Sequence, residues 1–273
     1  MKLKLFICAL LAIVAVAPVS AQRFILKDGK ALNQADVVLK DGKLVRALAG
    51  AGEGGGGEVT YALSQVARLD WPEPAEIEQA RELVAAGKGV EGEQKITPIY
   101  RQFAPYSKLP GSWWAEAALI RARALLAQDK KDEAERAARE LMSTSGDVEK
   151  VSASQLIIAR IQMMLDKADI ADAMLDTIMT KKSSAEIEAR AATLRGDIAY
   201  GRKDFEKAIE FYLQVPVFYG MEESVMPIAL LGSARAYRGN GDNERAKRAY
   251  LEITVSYPKS AEAEIANRES ADL

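Results

Sequence analysis

Three glycines in a glycine-rich tract have the spacing of a phosphate-binding loop. Gly50, Gly52 and Gly55 match the pattern G-x-G-x-x-G, in which the last glycine opens a helix whose N-terminus holds a pyrophosphate. Here the tract leads into Val59-Thr60-Tyr61, which favours a strand. The chain also has no Gly-Lys-Ser/Thr for a phosphate loop. Low-complexity glycine runs match such patterns by chance, so we interpret the tract as a hairpin tip and predict no cofactor.

The residue inventory excludes most side-chain catalysis. The chain has no histidine and one cysteine, Cys8, so Ser-His-Asp and Cys-His catalysis and histidine-containing zinc sites are not available. Carboxylates remain, and the adjacent Glu222 and Glu223 could suggest acid–base chemistry. Nothing near them in the sequence would give them different protonation states, so we interpret them as a solvated helix start. We predict no catalytic residue and no metal site.

The first 21 residues have the features of a secretory signal peptide. Lys2 and Lys4 precede an apolar run over residues 5–17, and Val19-Ser20-Ala21 offers a small-residue cleavage site before Gln22. The alternative is an uncleaved membrane anchor, although the run is shorter than the ~20 residues of a spanning helix. Cleavage would also remove Cys8 and leave no thiol for a disulfide. We expect an exported protein of the bacterial periplasm or cell envelope.

The charge balance argues against a nucleic-acid partner. Without Lys2 and Lys4, the chain has 35 basic and 39 acidic residues, a net charge of −4. Binding to nucleic acid through phosphate groups needs a basic excess. We therefore expect a protein or peptide partner, with only indirect membrane contact. The oligomeric state stays open.

Residues 22–72 differ in pattern from all that follows. Their short apolar runs are residues 24–26, 36–39, 44–48 and 59–63, with a last run from Val66 to Trp71. Asp28-Gly29, Asp41-Gly42 and the glycine tract separate these runs. This alternation predicts short strands joined by tight turns. We predict a small antiparallel sheet or partial barrel.

From Pro74 onward the apolar residues follow a helical period. The pattern is that of successive pairs of helices. A small residue early in the second helix of each pair recurs every 37 or 38 positions, at Ala134, Ala171, Ala208 and Ala246. A matching small residue lies twelve positions earlier in each first helix, at Ala122, Ala159, Gly196 and Ala234. Small residues at both places let two helix backbones approach, and such hairpins bury their apolar faces on their neighbours. The period predicts a stacked helical array.

The stretch Leu230–Pro258 resembles one complete tetratricopeptide repeat (TPR). The pattern is met by Leu230, Ala234, Tyr237, Gly241, Ala246, Tyr250 and Pro258. Ser233 departs from it, since leucine is usual there. Residues 196–215 also match closely, and residues 257–263 resemble the repeat endings of periplasmic coordinator proteins. The resemblance implies a mainly α fold, a TPR-like helical-hairpin solenoid preceded by the small antiparallel β module.

We divide the chain into five parts on this basis. They are a signal peptide (1–21), a β-rich module (22–72), a degenerate first repeat with a connector (73–112), four TPR-like repeats (113–258) and a capping helix with a tail (259–273). Ser260 is expected to cap the last helix, which covers the final apolar face of the solenoid. A long turn is expected over residues 214–223, which include Pro216.

The resemblance also implies a binding face, the concave surface of the first helices. It places there Leu119, Arg123, Leu126, Leu156, Arg160, Met163, Arg190, Thr193, Asp197, Tyr200, Leu231, Arg235 and Arg238. Arg123, Arg160 and Arg235 hold equivalent positions in three of the four repeats. Arginines flanked by leucines would suit an acidic peptide or a free C-terminal carboxylate. The alternative is that these arginines are solvated or paired with nearby glutamates.

The function that we expect is that of an exported scaffold or adaptor, not an enzyme. The helical repeat and the reduced catalytic inventory both favour protein binding. Two alternatives stay open. One is a cell-wall or carbohydrate-acting enzyme that uses carboxylates only, which would need two acids facing one cleft. The other is a self-assembling structural component of the envelope.

Overall fold

The computed structural model describes residues 22–48, 57–181, 183–271 and 273. The signal-peptide prediction and most of the glycine tract therefore lie outside the described residues. The described part is mainly helical and divides into two units. A β unit extends to Pro72 and includes Leu109–Gly111, and a helical unit contains the rest. The predicted mainly α architecture with a small antiparallel β part is confirmed.

The described part of the β unit consists of two three-stranded antiparallel sheets. Its strands are β1 (Arg23–Leu26), β2 (Ala31–Asn33), β3 (Val38–Lys40), β4 (Lys43–Ala47), β5 (Glu58–Ala62) and β6 (Val66–Asp70). The sheet orders are β2-β1-β6 and β3-β4-β5. Phe24 and Leu44, on the two central strands, are fully buried and contribute to the core of this unit.

Local turn chemistry explains the hairpins of this unit. Asp41 and Gly42 both have positive φ, 51° and 72°, as a two-residue turn requires, and Lys40 pairs with Lys43 across it. The strand predicted over residues 36–39 is wrong at its start, because residues 34–36 form a 3₁₀ turn. The sequence prediction also missed β2. That strand buries only Leu32, which is too little to show an alternating pattern.

In its described residues the helical unit contains eleven helices, which are arranged mainly as successive hairpins. They are α1 (Ala75–Ala85), α2 (Gly89–Phe103), α3 (Trp114–Ala127), α4 (Lys131–Thr144), α5 (Val148–Met164), α6 (Ala168–Thr180), α7 (Ala185–Gly201), α8 (Phe205–Phe218), α9 (Met226–Gly239), α10 (Asn243–Ser256) and α11 (Ala261–Ser270). Each odd-numbered helix packs on the next odd-numbered helix as well as on its own hairpin partner. The odd-numbered helices α3 to α11 thus form one side of the array, which we call the first-helix face.

The small residues that defined the repeat lie where the helices meet. All eight are buried, from Ala122 in α3 to Ala246 in α10. The ring of Tyr212 fills the space beside two glycines. A Cβ atom added to Gly196 or Gly232 would come within 2.5 or 2.4 Å of that ring. Close helix approach in this region therefore depends on glycine.

Two helix ends show how proline acts at different positions. α8 continues through Pro216 to Phe218, so the long turn predicted from Gln214 starts too early. Pro216 lies near the end of α8, where its missing N–H removes one helical hydrogen bond. α10 ends at Ser256, before Pro258. The Ser260 hydroxyl then accepts a hydrogen bond from the Ala263 amide at 3.1 Å and caps α11, as predicted.

Candidate protein-binding face

Four charged residues occupy one repeat-equivalent position on the first-helix face. Each directly follows the small residue of its helix, and together they are Arg123, Arg160, Asp197 and Arg235 on α3, α5, α7 and α9. We call them the charged row. Because these helices lie side by side, the row crosses four repeats with the charge order plus, plus, minus, plus. Each member has a different environment.

Arg235 is paired with the last helix. Its Nε lies 2.9 and 3.1 Å from the two carboxylate oxygens of Glu269, and the Tyr250 hydroxyl donates to Glu269 at 2.9 Å. The hydrogen bond from Arg235 lowers the pKa of Glu269, and the same bond raises the pKa of Arg235. Burial and the Glu269 carboxylate raise the pKa of Tyr250 to about 12. This end of the row is satisfied internally.

Arg123 has no comparable partner. It is partly buried, and it makes no ion pair or side-chain hydrogen bond with any residue in the described ranges. Desolvation lowers the pKa of Arg123, and repulsion from Arg190 lowers it further, while Glu186 and Glu116 partly offset both effects. Arg190 itself is held at 2.9 Å by Glu186 and lies 3.3 Å from the Ser224 hydroxyl. Among the residues that the structure describes, Arg123 is therefore a cation without a counter-ion in direct contact.

Arg160 and Asp197 also lack ion pairs with residues that the structure describes. Arg160 is exposed. Asp197 also reaches solvent, yet the surrounding helices desolvate it enough to raise its pKa. The Tyr212 hydroxyl donates to Asp197 Oδ1 at 2.7 Å, which opposes that rise, as do Arg160 and Arg235 at longer range. Burial, together with the Asp197 carboxylate, raises the pKa of Tyr212.

A second ionic link joins the first helices nearer their N-termini. Glu116 on α3 lies 3.2 Å from Arg81 on α1 and also accepts a hydrogen bond from Lys150 on α5. Burial opposes ionisation of Glu116, but the hydrogen bonds from Lys150 and Arg81 outweigh it, so its pKa is lowered. Both oxygens of this carboxylate accept a hydrogen bond from a cation, and the contacts link α1, α3 and α5.

The remaining residues expected on the face divide by burial. Leu119, Leu156 and Leu231 are at most 7% exposed. They therefore belong to the packed interior of the array and not to its accessible surface. Thr193 is also buried and donates to the Ala189 carbonyl at 2.8 Å. Leu126 and Met163 are partly buried, whereas Tyr200 and Arg238 are exposed. The charged row, Arg238 and Tyr200 thus remain accessible on the face, whereas the leucines that flank the arginines are mostly buried.

Sequence reasoning missed the partners of the charged row. The ring of Tyr212 is buried, and its hydroxyl donates a hydrogen bond to Asp197. Within the predicted capping helix and tail, α11 runs to Ser270 and thereby brings Glu269 to Arg235. No sequence pattern indicates which first helix Glu269 meets.

The described ranges hold neither a cluster of metal ligands nor a membrane-spanning helix. They contain no group of three or more histidine, cysteine, aspartate or glutamate side chains arranged to hold a metal ion. Within them, every helix is too short or too polar to cross a bilayer.

Stacked helical hairpins with a small-residue seam define a helical-repeat protein. Two family models match the chain: a tetratricopeptide repeat-like domain at residues 81–216 and a tetratricopeptide repeat at residues 228–260. The chain belongs to the tetratricopeptide repeat family, which confirms the resemblance found in the sequence. Folds of this family are typically non-catalytic scaffolds for protein interaction.

Several solved structures are similar to the chain. Nearly identical TPR-like repeats from Podosopora anserina have 19% identity and a TM-score of 0.47, covering 68% of this chain and 96% of that one. Pseudomonas aeruginosa pilF has 16% identity and a TM-score of 0.44, covering 71% and 81%. YrrB, a TPR protein with an unusual peptide-binding site, has 11% identity and a TM-score of 0.40, covering 71% and 90%. No curated protein sequence gave a match.

Proposed function

We propose that this chain is an exported scaffold or adaptor that binds a segment of another protein along the first-helix face. An acidic side chain or C-terminal carboxylate of the partner binds Arg123 and Arg160. The partner thereby supplies to Arg123 and Arg160 the carboxylate that Glu269 of the same chain supplies to Arg235.

The observation that carries this proposal is the environment of Arg123. A desolvated cation without a counter-ion costs free energy, and a carboxylate that accepts two N–H bonds from one guanidinium removes that cost. Arg235, at the equivalent position, shows the favourable arrangement with Glu269. Arg123 has the same side chain on the same helix face, and it is only partly buried.

Comparison of two arginine variants tests the binding face. The full chain, Arg123→Gln and Arg136→Gln would each be used to capture proteins from the native cell envelope. Arg136 is a matched control, because it is exposed on α4, the hairpin partner of α3, and its loss changes net charge equally. For the captured partner we expect about tenfold weaker binding to Arg123→Gln and unchanged binding to Arg136→Gln. Equal affinities for all three proteins would refute the proposal.

Export is a separate part of the proposal and needs its own test. The basic, apolar and small-residue segments of residues 1–21 support it. N-terminal sequencing of the protein from fractionated native cells should give Gln22 as the first residue, in the periplasmic or envelope fraction. A protein that keeps Met1 and fractionates with the cytoplasm would contradict export and leave the binding-face proposal intact.

A further inference from the structure

We infer that Asp197 is a second anchor on the first-helix face and that it binds a lysine or arginine side chain of the partner. The partner segment then has mixed charge, with an acidic group for Arg123 and Arg160 and a basic group for Asp197. This inference rests on the proposed function and specifies the chemistry of the partner.

The first support is the unsatisfied state of the carboxylate. Asp197 reaches solvent, forms no ion pair with the described residues, and has the Tyr212 hydroxyl as its one hydrogen-bond donor among them. That donor contacts Oδ1 at 2.7 Å. A carboxylate has about four acceptor positions, so most of its capacity is open to an N–H donor from the solvent side.

The second support is that Asp197 is held in place from behind. The Tyr212 ring is 3% exposed and lies against Gly196 and Gly232, so its hydroxyl cannot move without repacking α7 and α9. A carboxylate whose position is fixed before binding loses less conformational entropy when a ligand arrives. This rigidity is typical of a binding group and is not needed by a solvated surface charge.

The third support is the arrangement of the neighbouring cations. Arg160 and Arg235 attract Asp197, yet neither forms an ion pair with it. Arg235 is directed to Glu269 instead. If Asp197 served only to balance the charge of these arginines, direct contact with one of them would be expected. A carboxylate in the middle of the row also repels a uniformly acidic segment, and it thus selects among acidic partners.

Selection from a display library of random peptides tests this inference on the full chain. The baits are the wild-type protein, Asp197→Asn, Arg123→Gln and the control Asp132→Asn, in which an exposed acid of α4 is changed. Asparagine keeps an acceptor for the Tyr212 hydroxyl, and circular dichroism would verify equal helix content. We expect wild type and Asp132→Asn to enrich peptides that pair Asp or Glu with Lys or Arg. Asp197→Asn should lose the enrichment in Lys and Arg and keep that in Asp and Glu.

The best wild-type peptide then allows a quantitative check. Replacing its basic residue by glutamine should weaken binding to the wild-type chain about tenfold and leave binding to Asp197→Asn unchanged. The role of Asp197 would be overturned if the two peptides differed in affinity by the same factor for wild type and Asp197→Asn. The same conclusion would follow if Asp197→Asn enriched Lys and Arg as strongly as wild type. Either result would leave the proposed function intact. If no acidic enrichment depends on Arg123, the proposed function fails and this inference fails with it.

Discussion

Glu269 of α11 accepts two hydrogen bonds from Arg235 of α9 on one carboxylate oxygen, from Nη2 at 2.5 Å and from Nε at 3.1 Å. The contact ties the last helix to the preceding repeat, and it also neutralises one member of the charged row. Arg123, at the equivalent position, has no such acceptor among the described residues. The same side chain therefore stabilises the array at one end of the row, whereas at the other end it forms no ion pair with a described residue.

Replacing Glu269 by glutamine should destabilise the C-terminal end of the helical unit. The change removes the charge-assisted hydrogen bonds from Arg235, but both groups keep some solvent contact, so we expect a loss of about 1 kcal/mol in the free energy of unfolding. Urea denaturation followed by circular dichroism measures it. Glu252→Gln, an exposed acid of α10, is the control and should change the midpoint little. A Glu269→Gln midpoint equal to that of the control would show that the pair contributes nothing.

The stabilisation by Glu269 should depend on pH. Its pKa is lowered by Arg235, so its contribution is complete above the ordinary glutamate pKa of about 4.3 and is lost as the pH falls through the lowered folded-state value. The difference in unfolding free energy between wild type and Glu269→Gln should therefore be constant from about pH 7 to 5 and shrink in more acidic solution. A difference that grows on acidification would contradict this assignment.

Replacing Asp197 by asparagine should change the free energy of unfolding in the direction opposite to that expected for Glu269→Gln. Desolvation raises the pKa of Asp197, so its ionised form costs folding free energy at neutral pH, and that cost disappears once the group is protonated. We expect the variant to unfold at a slightly higher urea concentration than wild type near pH 7. The two midpoints should converge below about pH 4, where aspartate is protonated in the unfolded chain as well. A destabilised variant at neutral pH would mean that Arg160 and Arg235 already compensate the charge.

The glycines beside Tyr212 should not tolerate a methyl group. Gly196→Ala and Gly232→Ala would place Cβ within 2.5 and 2.4 Å of the Tyr212 ring, and we expect each to lower the free energy of unfolding by about 1–3 kcal/mol. Gly201→Ala is the matched control, since it lies in the same helix as Gly196 with no atom within 4 Å of the new Cβ. Helix propensity favours alanine, so the control should be neutral or stabilising. Equal midpoints for Gly196→Ala and Gly201→Ala would show that the ring can move aside.

Patterns within one repeat made most of the architecture predictable. The seam from Ala122 to Ala246 is buried as its spacing predicts, because a small residue at a helix crossing is a local requirement of close packing. Asp41-Gly42 and Ser260 likewise act through neighbours in sequence. The sequence pattern does not predict a strand that buries only one side chain, as in β2, where Leu32 is the one buried residue.

The sequence by itself thus determined the repeat, the helical fold and the positions of the charged row. Tertiary structure alone decided which charges are satisfied. Arg235 meets Glu269 across 34 residues and Asp197 meets Tyr212 across 15, whereas Arg123 meets no counter-ion among the described residues. Helical periodicity places a side chain on a face, but ion pairing depends on the approach of other helices within a few ångströms. That approach is set by the packing of the whole array, so equivalent residues of different repeats acquire different roles.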